Sequence, residues 1–194
     1  MQQKAAHSNR WHLRDVILIT ITSIFMGIIF FVTGFLYNGL TLALTPLGMA
    51  PFANDILLGL WTMAGPLAAF MLQKVGAATI GELLASAVEA IIGGQWGPST
   101  LISGFVQGFG SELGFTFTLY RRYDMASLSL SVLTTAIVTF AWDLVRSGYA
   151  AYHPWMIVAL FITRFISMWV FGALLVSAVT KLLDRSHLLD RRHA

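Results

Sequence analysis

The chain has 194 residues, the length of one domain; 57% is hydrophobic and 11% charged, with a mean hydropathy of +0.74. That leaves too little polar material to coat a soluble body of this size, so an integral membrane protein is the class that remains. The formal charge of +3 sits on basic residues that flank apolar runs, which argues against nucleic acid, and the lack of cysteine excludes disulfide and thiolate chemistry.

Residues 1–14 form a polar, basic lead-in, and residues 184–194 a polar tail. Between them lie six apolar segments, 16–37, 56–72, 75–92, 101–120, 128–149 and 155–183. Most approach the roughly 20 residues that a hydrocarbon core requires; the second and third are short, and the last is long enough to tilt. The alternating segments of about ten residues typical of a transmembrane barrel are absent. The expected fold is therefore an all-α integral membrane protein, a single domain over 1–194 with six transmembrane helices. The first apolar run is too long for a signal-peptide core and lacks a small-residue cleavage site, so it is expected to persist. No repeat is visible, although a weak inverted repeat stays open.

Ten of the twelve Lys and Arg residues fall on one side of these segments. They are Lys4, Arg10, Arg14, Lys74, Arg121, Arg122, Lys181, Arg185, Arg191 and Arg192, and the positive-inside rule places both termini in the cytoplasm. The external loops would be 38–54, 93–99 and 150–154. The first contains Pro46, Gly48 and Pro51 and is expected to cover the outer face.

Residues 76–120 carry Glu82, Glu89 and Glu112 in two apolar helices joined by Gly93-Gly94-Gln95-Trp96-Gly97-Pro98. An acid at the centre of a membrane helix costs roughly 2.5–3.5 kcal/mol, so each needs a reason. Glu82, Ser86 and Glu89 share one helical stripe, with Glu89 in the outer half. Ser103, Gln107, Gly110 and Gly114 share a face of the next helix. Glu112 stands about 140° from Gln107 and lines up with Gly104 and Gly108, which favours a structural role. Asp55, Asp143, Arg146 and Arg164 also lie in or beside spans. Asp143 and Arg146, three apart, either neutralise each other or leave an acidic interior suited to a cation.

The tryptophans and tyrosines mostly gather toward the outer ends, as an interfacial belt would. Trp96, in its tight loop beside Gln95, and Trp142, on a face with Thr135, Thr139 and Arg146, are the exceptions. The candidate site is an outer cavity lined by Glu89, Gln95, Trp96, Trp61, Trp142 and Asp143, with Asp55 and Asn38 at the rim. Acid, amide and indole groups together would hold a flat, nitrogen-rich, cationic ring. P-loop, His-Glu-x-x-His and Gly-x-Ser-x-Gly motifs are absent, so binding is expected, with no catalytic or metal residues. A stand-alone secondary transporter, with Glu82 or Glu89 carrying protons against an organic cation, is the alternative.

Trp11-His12-Leu13-Arg14-Asp15, Leu60-Trp61-Thr62-Met63-Ala64-Gly65-Pro66, the run Glu82 to Glu89, Gln95-Trp96-Gly97 and the run Val106 to Leu113 resemble the YkoE family. The resemblance covers nearly the whole chain. It implies a substrate-binding S-component of an energy-coupling factor (ECF) vitamin transporter in a prokaryotic plasma membrane. Thiamine or its hydroxymethylpyrimidine precursor would be the substrate. The partners implied are a transmembrane coupling subunit and ATPase subunits, which use the ATP; this chain would carry no cofactor. In ECF systems small residues on the first helix dock the partner, and Ser23 and Gly27 are the nearest equivalent.

Overall fold

The computed structural model describes residues 10–185, and every regular element among them is helical. Most of the expected lead-in and nearly all of the expected tail lie outside that range. The helices are α1 (Leu13–Leu44), α2 (Phe52–Trp61), α3 (Ala64–Leu72), α4 (Ala77–Ile91), α5 (Ser99–Phe117), α6 (Met125–Arg146), α7 (Pro154–Met168) and α8 (Val176–Arg185). A π-helical stretch, Trp169–Leu175, makes α7 and α8 one column. Four stretches are long and apolar enough to cross a membrane: Leu13–Leu47, Phe52–Leu72, Met125–Arg146 and Pro154–Arg185. The other two columns, α4 and α5, are the ones that carry Glu82, Glu89 and Glu112.

Two boundaries differ from expectation for identifiable reasons. Nothing between Asn38 and Leu44 breaks a helix except Gly39, so α1 continues to Leu44. Pro46 then opens a single 3-10 turn, and Gly48, at φ 69°, reverses the chain. The expected long outer loop is therefore mostly helix. The segment expected as one helix over 56–72 is broken at Thr62–Met63. Pro66 has no N–H for the Thr62 carbonyl, and its ring would clash with it. The break frees the Gly65 N–H, which donates to Glu82 Oε2 at 2.6 Å. Glu82 thus caps α3 from a neighbouring helix.

The columns close into a ring: α1 packs on α2 and α4, α4 on α5, α5 on α6, α6 on α7, and α7 back on α2. Helix α3 fills one end of this ring, touching α1, α4, α5 and α8, with all its residues but one buried. The glycines of α5 allow close approach on both sides. A Cβ at Gly108 would stand 2.8 Å from Thr79 Cα of α4, and one at Gly110 would stand 2.9 Å from Thr135 Cα of α6. The face of α1 with Ile17, Ile21, Ile24, Phe25, Ile28 and Val32 is exposed, as lipid contact requires.

Glu112 has the structural part expected of it. Its carboxylate accepts from Gly76 N (2.7 Å), Thr79 N (3.1 Å) and Tyr120 Oη (2.7 Å), capping α4 from α5. Ser23 and Gly27, the expected docking pair, face inward instead. The Ser23 hydroxyl donates to the Gly81 carbonyl at 3.2 Å, and a Cβ on Gly27 would stand 2.6 Å from Val88 Cβ. The small-residue spacing serves the contact of α1 with α4, so these side chains are not on an outer surface.

Asp124 starts α6 as its N-cap, accepting from Ser127 N at 2.9 Å and pairing with Arg122 at 2.7 Å. The Ser127 N–H, then Arg122, hold its carboxyl below the ordinary 3.8. Asp124→Ala should lower stability by about 1 kcal/mol, measured by denaturation in detergent at neutral pH. Because the folded-state pKa is depressed, the wild-type advantage is present above the ordinary value and should fade as pH falls through the folded one. A deficit independent of pH in that window would mean the carboxylate is not the cap.

Candidate functional site

A cavity of about 560 Å3 lies at the end of the ring that α3 does not reach. Its walls come from Tyr37 and Thr41 of α1, Asn54, Leu58 and Trp61 of α2, Ser86 and Glu89 of α4, and Trp96 in the loop before α5. Thr100, Ser103 and Gln107 of α5, Thr139, Trp142, Asp143 and Arg146 of α6, and Tyr149 complete them. The size falls within the range of about 300–1,000 Å3 usual for small-molecule sites.

Three aromatic rings make one wall. Trp61 meets Trp96 edge to face at 5.2 Å, and Tyr37 lies 5.4 Å from Trp96 and 5.9 Å from Trp61. Trp61, only 6% exposed, is held by its Nε1–H donating to the Phe30 carbonyl at 3.0 Å. Gln95 and Asn38 do not line the cavity. The Asn38 amide donates to Gln95 Oε1 at 2.8 Å and pins the loop to α1. Both expected residues therefore position Trp96 from behind.

Glu89 differs from the other acids. It is 2% exposed, its carboxyl faces the cavity, and among the described residues it has no hydrogen-bond or ion-pair partner. Of five buried polar atoms without a protein partner among the described residues, Thr41 Oγ1, Thr100 Oγ1 and Trp142 Nε1 belong to residues of the same wall, and Glu82 Oε1 and Tyr123 Oη lie elsewhere. Buried polar groups are rarely left unpaired, and a cluster of them around one space marks where a polar ligand fits.

Charge on the opposite wall is arranged differently from the sequence expectation. Asp143 does not pair with Arg146. Arg164 of α7 is completely buried between two acids, with Nε on Asp55 Oδ1 at 2.5 Å and Nη2 on Asp143 Oδ2 at 2.6 Å. Asp143 Oδ1 accepts from Ser147, Asp55 Oδ2 accepts from Tyr149, and the guanidinium lies over Phe140 at 5.0 Å. Asp55 is thus a fully buried partner of Arg164 and not part of the rim. Arg164, placed inside a span by the sequence but given no role there, turns out to tie α2, α6 and α7 together. Arg146 reaches sideways to Ser103 of α5 at 2.9 Å and lies over the Trp142 ring at 5.9 Å.

Of the sequence candidates, Glu89, Trp61, Trp96, Trp142 and Asp143 meet around the cavity; Gln95, Asn38 and Asp55 stand behind it. Tyr37, Thr100, Gln107 and Arg146 were not expected there. For Gln107 and Ser103 the signal was visible in their shared helical face.

Residues 14–138 match the family described as ABC-type cobalt transport system, permease component. The YkoE protein of Bacillus subtilis (strain 168), named as an HMP/thiamine permease, is 32% identical over 181 residues, covering 93% of this chain and 88% of its own. This chain belongs to the YkoE family. A solved structure described as an S-component of an ECF transporter superposes with a TM-score of 0.86 at 29% identity, covering 93% of this chain and 89% of that one. By these relationships the chain is a multi-pass plasma-membrane protein of the ECF S-component type. The relatives are transporter components.

Proposed function

We propose that this YkoE-family subunit binds thiamine or hydroxymethylpyrimidine in the cavity and delivers it inward when partner ATPases drive its reorientation. The observation that carries the reading is Glu89, a buried carboxyl facing the cavity with no protein partner. An aminopyrimidine offers N–H donors to such a group, and a thiazolium offers a cation to it and to the indole faces of Trp61 and Trp96. The name of the B. subtilis relative supports that substrate class. Cobalt, in the family description, suits the chain less well: it has no cysteine, and among the described residues no three His, Asp or Glu converge as a metal site.

The same proposal has six helices crossing the membrane, both termini cytoplasmic and the cavity facing outward. Arg10, Arg14, Lys74, Arg121, Arg122, Lys181 and Arg185 sit at the end of the ring away from the cavity, which supports that orientation. The chain itself uses no cofactor; ATP belongs to its partners. Titrating the purified subunit with thiamine and hydroxymethylpyrimidine, following tryptophan fluorescence, should show binding without partners. Uptake into liposomes should require the ATPase module. Transport by the chain alone, driven by a proton gradient, would instead establish a secondary carrier.

A further inference from the structure

We infer that the cavity holds an anion subsite, built from Arg146, Ser103 and Trp142, that takes the phosphate of a substrate monoester. The inference rests on the cavity being the substrate site. Arg146 lines the cavity, is exposed, and among the described residues commits one of its guanidinium N–H groups, Nη1, to Ser103. A guanidinium has five N–H donors in a planar fork that matches phosphate oxygens. Ser103 accepts from Arg146, so its own hydroxyl proton stays available toward the cavity. The Trp142 ring lies beneath the guanidinium, at 5.9 Å, and its Nε1–H is buried with no partner. The remaining guanidinium N–H groups and the Ser103 hydroxyl therefore stand at the cavity with no acceptor assigned to them, on the support of the Trp142 ring.

The acid that would ordinarily neutralise Arg146 is taken. Asp143 lines the same wall, but its two oxygens are held by Arg164 and Ser147. Glu89 stands on α4, separated from α6 by α5, which packs against both helices. The cavity thus has an unpartnered carboxyl on one side and, on the other, a guanidinium with N–H groups free beside an acid already held by Arg164. A neutral pyrimidine alcohol or a simple cation uses only the first. Both proposed substrates end in a primary alcohol, and its phosphate ester supplies the anion that the second would bind. The phosphate is bound intact, with no bond made or broken.

Thiamine and thiamine monophosphate, titrated in parallel into the full-length wild type and Arg146→Gln, test this. Wild type should bind the monophosphate at least as tightly as thiamine. The ratio of ester to alcohol dissociation constants should rise at least fivefold in Arg146→Gln; a smaller rise overturns the subsite. Should that variant fail to fold, the same criterion applies to Arg146→Lys, which keeps the charge without the fork. If Arg146 served only to tie α5 to α6, its loss would lower the thermal midpoint and weaken both ligands equally, which also overturns the subsite. Wild-type binding of thiamine but not the ester removes the inference and leaves the proposed function. Binding of the ester alone keeps the subsite and removes the free vitamin as substrate, and binding of neither ligand removes both.

Discussion

Arg164→Met should destabilise the protein by about 3–5 kcal/mol, the usual cost of breaking a buried ion pair from one side. The guanidinium is completely buried and joins Asp55 of α2 to Asp143 of α6 at 2.5 and 2.6 Å. Removing it leaves two carboxylates facing the same low-dielectric space with no cation between them, and each must be neutralised or rehydrated. Asp143 has one alternative, Arg146, three residues on along the same helix face. The variant should therefore lose ligand affinity as well as stability, because that swing would rearrange the cavity wall. Adding Asp55→Asn to Arg164→Met should restore part of the stability, since the uncompensated charge is then reduced. Thermal or chemical denaturation in detergent measures both. A loss below about 1 kcal/mol for the single variant, in the range of an exposed pair, would show that the triad does not hold these helices.

The membrane class and the six helical columns were legible because apolar content and the placement of Lys and Arg report directly on the surrounding solvent. Helical periodicity also separated the faces of α5: Gly104 and Gly108 lie against α4, while Gly110 lies against α6. It could not say which acids would find partners. Asp55 and Glu89 look alike in the sequence, yet one meets an arginine 109 positions away and the other meets none. The contrast is tertiary, set by where α7 crosses α2. Sequence spacing favoured Asp143 with Arg146 because it registers neighbours on one helix, and a buried arginine from another helix overrode it. Ser23 and Gly27 show the same limit. A small-residue spacing identifies a surface that a backbone approaches closely, but here the backbone is α4 of the same chain. The break before α3 was foreseeable from Pro66; its cap, Glu82, was not, because the two meet only in the fold.

Glu89→Gln should lower affinity for thiamine by about ten- to a hundredfold, the equivalent of roughly 1.5–3 kcal/mol for a charge-assisted hydrogen bond. The substitution keeps the shape of the side chain and one oxygen acceptor while removing the ionisable group. Its effect on the empty protein should be the opposite of that in Arg164→Met. Glu89 is 2% exposed and has no partner among the described residues, so the resting protein carries the cost of a buried carboxyl that only the ligand offsets. Replacing it with a neutral amide should leave the unliganded protein as stable or more stable, as substitutions at strained functional positions often do. The ligand-induced rise in thermal midpoint should shrink in step with the affinity. Trp96→Ala separates the contribution of the aromatic wall: it should weaken binding without the gain in stability, because it also removes the ring contacts with Trp61 and Tyr37. Unchanged thiamine affinity in Glu89→Gln, together with a lower midpoint in the absence of ligand, would mean that this carboxyl supports the fold and that the ligand is held elsewhere in the wall.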